Sequence, residues 1–313
     1  MKLYQLSFLL LLVVIACSKP PKKEQSNADV SLIVLGTVQD AGSPHIGCKK
    51  ECCKSLFNVH TADRMVVSLG IFDRKNNKTF LFEATPDIAQ QLKDLKKFAS
   101  KENELPDGIL LTHAHIGHYS GLMYLGKEAI NADTVPVYAM AGMQGFLKAN
   151  GPWNQLIRLN NIALKDLHRR QKINLTSEVS VTPLLVPHRD EYSETVGFKI
   201  ETASKKVLFI PDIDKWEKWQ NILPLIKECD YVFIDGTFYD GSEVNHRDIS
   251  EIPHPFIIES VELFKNLPAS EKAKVHFIHF NHTNPLLNSA SKQYQKVLNE
   301  GFKISKKGNS YEL

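Results

Sequence analysis

Three histidines within six residues, His113, His115 and His118, sit in the stretch Gly108–Leu122 (GILLTHAHIGHYSGL) and constrain this chain more than any other feature. Gly108–Thr112 reads as a short buried strand. Residues two apart in an extended segment point the same way, so His113 and His115 present their imidazoles to one point. His118 follows where Ser120-Gly121-Leu122 opens a helical pattern, and its ring can turn to the same place. A lone buried histidine is usually a hydrogen-bonded core residue. Three at this spacing, at the end of a strand, form a metal-ligand constellation, and the fold must bring further ligands to that strand end from elsewhere.

The remaining sequence offers such ends. Apolar, β-branched runs predict strands at Val30–Gly36, Val66–Phe72, Thr79–Glu83, Gly108–Thr112, Val135–Tyr138, Val179–Val186, Thr195–Ile200, Lys206–Pro211, Tyr231–Asp235 and Val275–Phe280. Helical periodicity predicts helices at Pro86–Ala99, His118–Leu125, Met143–Asn150, Lys215–Ile226, Pro255–Leu267 and Asn288–Glu300. The order opens rich in strands and then alternates, which is the pattern of an α/β fold with sheets covered by helices in one domain, residues 29–313. Gly151–Leu167 is poorly patterned and reads as an insertion near the site. Asp87, beside Pro86, reads as a helix cap. Ligand-type residues close three of the strands: His188 after Leu185-Val186-Pro187, Asp212 at the end of Val207–Asp212 (VLFIPD), and His279 after Phe277-Ile278. In an α/β sandwich such ends converge on one edge.

The histidine run resembles the His-x-His-x-Asp-His signature of the metallo-β-lactamase superfamily, and the later strand-end ligands follow in that family's order. LGTVQDAGSPHIGC, EATPDIAQQL, IDGTF and FIHFNHTNPLL are similar to stretches of the coenzyme pyrroloquinoline quinone biosynthesis protein B group. The resemblance covers roughly residues 30–290 and implies an αββα sandwich, two mixed sheets flanked by helices. It implies a first metal held by His113, His115 and His188, a bridging Asp212, and a second metal at His118 and His279, with Asp212 and His118 catalytic. Zinc is the expected divalent ion, with iron or manganese as the alternatives. The chain departs from the signature at one place: the aspartate position is Gly117, which has no side chain to coordinate. The second position therefore loses a carboxylate, one tightly held active-site ion is expected, and Gly117→Asp should raise occupancy of the second, provided the loop accepts a Cβ at that backbone conformation. His282 is either a replacement ligand or a surface-loop histidine.

His45–Cys53 (HIGCKKECC) gathers His45, Cys48, Cys52 and Cys53 in nine residues, a set suited to a small structural zinc site. Adjacent thiolates strain a tetrahedron, so a disulfide or free thiols stay open. Cys229 borders an apolar strand and reads as a core residue.

Residues 1–16 (MKLYQLSFLLLLVVIA) place Lys2 before an apolar run from Ser7 to Ala16. The run is shorter than the ~20 residues that span a bilayer and reads as a signal-peptide core. Val14-Ile15-Ala16-Cys17 resembles a bacterial lipobox, which implies cleavage before a lipidated Cys17; an uncleaved anchor helix is the alternative. Residues 17–28 are polar and Lys-rich, a tether. The chain is thus expected to be exported and bound to a bacterial membrane through lipid.

A net charge of +3 with dispersed Lys and Arg argues against a nucleic-acid partner. A small-molecule substrate is expected, and the sequence carries no signal for oligomeric state. Arg189, Asp190 and Glu194 in HRDEYSETVGF either orient a polar substrate or form a solvated turn. Asp235 ends a strand and can support a metal-bound histidine; His254 is a pocket residue and His246 a surface one. A divalent ion with an open position brings the pKa of its water to about 7, so a metal-dependent hydrolase is the first reading. A non-haem iron oxygenase linked to quinone tailoring and a non-catalytic metal-binding lipoprotein are the alternatives.

Overall fold

Alternation along the first strand shows how the layers form. In β1 (Val30–Gly36), Leu32 and Val34 pack into one apolar cluster, while Ile33 and Leu35 pack into another on the opposite face. A strand buried on both faces must lie in a sheet covered on both sides. The computed structural model, which describes residues 28–59, 63–99, 102–244 and 248–313, has that arrangement. Cys17 with the rest of residues 1–27, and His246, lie outside the described residues.

The chain runs through β2 (Ser68–Asp73), β3 (Lys78–Phe82), β4 (Gly108–Leu110), β5 (Val135–Ala139) and β6 (Ile162–Asp166). It continues through β7 (Ile173–Asn174), β8 (Ser180–Leu185), β9 (Val196–Glu201), β10 (Lys206–Ile210), β11 (Tyr231–Asp235), β12 (Val275–Ile278) and β13 (Lys303–Ile304), and β14 (Ser310–Glu312) closes it. Two seven-stranded sheets result, ordered β14-β1-β2-β3-β4-β5-β6 and β13-β12-β11-β10-β9-β8-β7. Both are mixed: β1–β2–β3 and β7–β8–β9–β10 pair antiparallel, β3–β4–β5–β6 and β10–β11–β12–β13 parallel.

Between the sheets, Phe82 packs edge-on against Phe198 and Phe209, with ring centroids 5.5 and 6.1 Å away. Such fully buried rings contribute roughly 1.5–3 kcal/mol each. The helices Ile88–Lys96 and Ala141–Ala149 cover the outer face of the first sheet through Ile88, Leu95, Met143 and Leu147. Ile222–Glu228, Ile257–Phe264 and Lys292–Asn299 cover the second through Ile226, Phe264 and Val297. The expected αββα sandwich is the architecture observed. Among the described residues no helix is long and apolar enough to cross a membrane.

Two local expectations are corrected. Gly151–Leu167 is no insertion: it holds the helix Trp153–Arg158 and β6, the edge strand of the first sheet. Asp87 stands at the N-cap position of Ile88–Lys96, but its carboxylate makes no capping bond and instead accepts from the Val66 backbone at 2.7 Å. Cys229 is buried in the second sheet's helix-covered core, as expected.

Candidate metal centre

β1, β3, β4, β8, β10, β11 and β12 all run the same way, so their carboxyl ends meet along one edge. Each delivers a polar side chain there: Asp40 after β1, Glu83 after β3, His113 and His115 after β4, His188 after β8, Asp212 after β10, Asp235 in β11 and His279 after β12. The helix Ile116–Tyr119 adds His118.

Asp212 is shared by three four-residue sets, with His113, His115 and His188, with Asp40, His118 and His279, and with Asp235, His254 and His279, the ligand atoms of each lying within 4.8 Å of one another. In the first, His113 Nε2 and His115 Nδ1 are 2.8 Å apart, His113 Nε2 lies 3.4 Å from Asp212 Oδ2, and His188 Nε2 lies 3.2 Å from Asp212 Oδ1. In the second, Asp40 Oδ1 is 3.0 Å from His118 Nε2 and 3.2 Å from His279 Nε2, and Asp212 Oδ2 is 3.8 and 3.9 Å from the same two nitrogens. Asp212 Oδ2 therefore stands between these two sets. His188 Nε2 and Asp212 Oδ1 are both buried and make no hydrogen bond. Two lone-pair donors held face to face without a proton-sharing geometry are costly to bury, and a cation between the groups relieves that cost. The residues fit a divalent metal.

An outer polar side chain stands beside the second nitrogen of every ring. Thr112 Oγ1 lies 2.8 Å from His113 Nδ1, Glu191 Oε2 3.2 Å from His115 Nε2, and Asp214 Oδ1 3.3 Å from His188 Nδ1. Glu83 Oε1 lies 3.4 Å from His118 Nδ1, and Thr237 Oγ1 2.8 Å from His279 Nδ1. Two of these backbones are strained: Glu83 has φ +74° and His279 φ +67°, left-handed values that non-glycine residues seldom adopt. Asp235 bonds His254 Nδ1 at 2.9 Å, the Ile213 amide and Thr237, and His254 Nδ1 in turn lies 3.1 Å from Asp212 Oδ1. Asp235 thus supports the ring of His254, the pocket residue, which braces the bridging carboxylate.

The charges alternate in sign. Burial alone would raise the Asp212 carboxyl, but His188, His254 and His279 outweigh it and hold it well below the usual range. Burial opposes a charge on His118 and His254 too, yet Asp40 and Glu83 raise the first well above an ordinary imidazole, and Asp235 and Asp212 raise the second. His113 goes the other way: burial and its neighbour His118 keep it neutral, the form that coordinates.

The sequence-identified ligands His113, His115, His188, Asp212, His118 and His279 are therefore brought together. The expectation drawn from Gly117 is corrected. A Cβ built there would lie 2.4 Å from Asp40 Cα, 2.7 Å from its Cβ and 2.8 Å from its Cγ. The space a signature aspartate would need is filled by Asp40, whose carboxylate faces the second set. Gly117→Asp has no room, and His282 is not the substitute.

His282 lies in the cysteine cluster, where Cys48, Cys52, Cys53 and His282 form a separate set within 4.8 Å. The sulfurs of Cys48 and Cys52 are 3.7 Å apart, those of Cys52 and Cys53 4.0 Å, and all are unpaired, an arrangement for a cation rather than a disulfide. Burial and His45 push the His282 imidazole down to about 4, so it is neutral at physiological pH. His45, the fourth ligand on sequence grounds, is displaced from that role. Its Nδ1 accepts from the Gly47 amide at 3.1 Å while its ring lies against His282, centroids 4.4 Å apart.

The loop after His188 divides by function. Asp190 accepts from Thr195 Oγ1 at 2.8 Å, and Glu194 accepts from the Gly142 amide at 3.0 Å, so both pin the loop instead of lining an open pocket. Arg189 Nη2 reaches to 3.4 Å from His115 Nε2, beside Glu191, a residue the sequence reading passed over.

A family model described as "Beta-lactamase superfamily domain" matches residues 78–277. Coenzyme PQQ synthesis protein B of Acinetobacter baumannii (strain ACICU) is 24% identical over 307 residues, covering 90% of this chain and 99% of that protein. The crystal structure of Zn(2+)-bound PqqB from Methylobacterium extorquens aligns with a TM-score of 0.76 at 19% identity, over 90% of this chain and 100% of that one. A diphosphatase from the PhnP family aligns with a TM-score of 0.62 at 21% identity, over 91% of this chain and 97% of that one. With its strand-end histidines, its shared Asp212 and its paired mixed sheets, the chain belongs to the beta-lactamase superfamily, has the metallo-β-lactamase fold and is PqqB-like within it.

Proposed function

We propose that this chain is a metal-dependent hydrolase acting on a small ester-like or phosphoester-like substrate. The observation that carries the reading is the pair of buried ligand sets sharing Asp212. His113, His115 and His188 would hold one ion and His118 and His279 a second, zinc being the first candidate, as in the Methylobacterium extorquens PqqB structure. Bound there, a divalent ion supplies a Lewis acid and brings the pKa of a water to about 7. Asp212, braced by His254 and held ionised, is placed between the two positions to orient such a water. Three imidazole ligands bring no negative charge, so the positive charge of an ion at the first position would stay uncancelled, which favours that acidity. Arg189, more than half exposed beside His115, sets a guanidinium at the rim for an anionic group. The likeness to a PhnP-family diphosphatase supports including diphosphates and phosphodiesters in the first substrate panel.

The test is turnover of a panel of phosphodiesters, diphosphates, esters and amides by metal-loaded protein, with chelated protein and the His113→Ala variant alongside. Turnover abolished by both treatments supports the reading. No turnover by fully loaded protein across the panel removes the hydrolase and favours metal binding without catalysis.

We also propose, from residues 1–17, that the chain is exported and lipid-anchored at Cys17. The lipobox-like Val14-Ile15-Ala16-Cys17 after a short apolar run supports this.

A further inference from the structure

Asp40 lies in the stretch LGTVQDAGSPHIGC but outside the histidine signature. It lies in the turn Gln39-Asp40-Ala41-Gly42, which leaves the first strand at the edge where the ligands gather. Resting on the metal-centre reading above, we propose that Asp40 is a metal ligand, the carboxylate that completes a second ion position with His118, Asp212 and His279.

The backbone places it there. Phe280 donates to the Thr37 carbonyl at 2.8 Å, and Gln39 donates to the Phe280 carbonyl at 2.9 Å, so residues 37–39 are laced to the residue that follows His279. Val38 is sandwiched between Val66 and Phe280 by bridges on both sides. The Gly42 amide closes the turn on the Gln39 carbonyl at 2.8 Å. The segment bearing Asp40 is thus held between two β-bridges at its start and a tight turn at its end. The side chain is 12% exposed, and its Oδ1 faces both imidazole Nε2 atoms.

Spacing supports coordination over a simple ion pair. Four donors about 2.1 Å from an ion in tetrahedral array stand about 3.4 Å from one another. The observed separations from Asp40 Oδ1 and Asp212 Oδ2 to the two nitrogens run from 3.0 to 3.9 Å and bracket that value. The outer nitrogen of each ring faces a partner, His279 Nδ1 within hydrogen-bond reach of Thr237 at 2.8 Å and His118 Nδ1 3.4 Å from Glu83 Oε1, and both Nε2 atoms are turned inward. Two carboxylates among two imidazoles also provide the anionic charge that two neighbouring dications need. Gly117 then has a reason: any side chain there would collide with the Asp40 backbone, so the carboxylate is supplied from another segment of the chain into the same space.

The experiment is metal counting on the full chain loaded with Zn²⁺. Ions released by a thiol-reactive mercurial count the cysteine cluster, and elemental analysis of the remainder counts the histidine centre. Two ions are expected at that centre in the unaltered protein. Asp40→Asn, which keeps the shape, and Asp40→Ala should each retain one, with the second bound at least tenfold more weakly in a Zn²⁺ titration. Asp40→Glu should recover part of the loss. Two ions retained in both Asp40→Asn and Asp40→Ala, or one ion in the unaltered protein unaffected by either change, would overturn the proposal while leaving a one-metal hydrolase standing. No ion at the histidine centre of the unaltered protein would instead bring down the metal-centre reading itself.

Discussion

Gly117→Ala adds a single methyl group, and the structure says what it meets. The new Cβ would lie 2.4 Å from Asp40 Cα, against the roughly 3.5–4.0 Å at which carbon atoms rest. More than 1 Å of overlap falls on backbone, and the Asp40 segment is laced to Phe280, so no flexible side-chain end can swing aside. Overpacking of this kind costs about 1–3 kcal/mol. At about 2–4 °C of melting temperature per kcal/mol for a large domain, the expected drop is roughly 2–12 °C. Helix propensity predicts the opposite sign. Gly117 lies in the helix Ile116–Tyr119, its φ is not left-handed, and glycine to alanine in a helix ordinarily stabilises by up to about 1 kcal/mol. Calorimetry of the metal-loaded variant therefore separates the two effects by sign, and elemental analysis of the same sample should show the second ion diminished as Asp40 is pushed from His118 and His279. Gly117→Asp should behave no better, despite restoring the signature residue. A Gly117→Ala protein that melts at or above the parent temperature with its full metal content would refute the steric argument.

Removing zinc from the cysteine cluster with a strong chelator should lower the melting temperature, whereas reductant alone should not. His282→Ala should release the mercurial-sensitive ion and His45→Ala should keep it; the reverse result would restore His45 as the ligand. His276, buried at the β12–β13 pairing, has its imidazole pushed down to about 4 by burial and Lys303. The unfolded chain, near 6.5, binds that proton more readily. Stability from this group is therefore full above pH 6.5 and falls as pH drops towards 4, by up to about 3 kcal/mol. His276→Phe should flatten the difference in unfolding free energy between pH 7 and pH 4.5, and an unchanged difference would show that His276 is not a source of the acid sensitivity. For export, mass spectrometry should find the mature chain starting at a lipidated Cys17, with Cys17→Ala lost from the membrane fraction; a chain that retains Met1 and an unmodified Cys17 would exclude the anchor.

The strands that deliver ligands were legible because their own composition orients them. β1 and β11 are read from the sequence with the bounds the structure has, since Val30–Gly36 and Tyr231–Asp235 are runs buried on both faces. His113, His188, Asp212 and His279 are found by the same logic, each a polar residue just past an apolar strand. β6, β13 and β14 escape it. They are sheet-edge strands of five, two and three residues with mixed polar content, and tertiary pairing alone makes them strands.

One ligand placed wrongly from sequence, His45, and one residue passed over, Asp40, share a cause. His45 is the histidine nearest the cysteines in sequence, but the ring at the fourth corner comes from His282, on a loop that reaches the cluster only because β1 and β12 deliver their loops to one edge. Asp40 sits in a turn whose residues are common wherever a chain reverses. What pointed to it was the missing side chain at Gly117, and a glycine inside a ligand motif has two readings. It can mean that a ligand is gone, or that another segment fills the space a side chain would have taken. Composition and spacing do not separate these readings; the position of the crossing backbone does. Here that backbone is the turn after β1, with a carboxylate on it. The same turn leads on to Cys48, as His279 leads on to His282, so the histidine centre and the cysteine cluster are built on the same two segments. A cation drawing Cys48, Cys52, Cys53 and His282 together tightens the pair of loops whose other ends hold Asp40 and His279. With such a cation bound, the cysteine cluster would clamp the second ion position as well as staple its own loop.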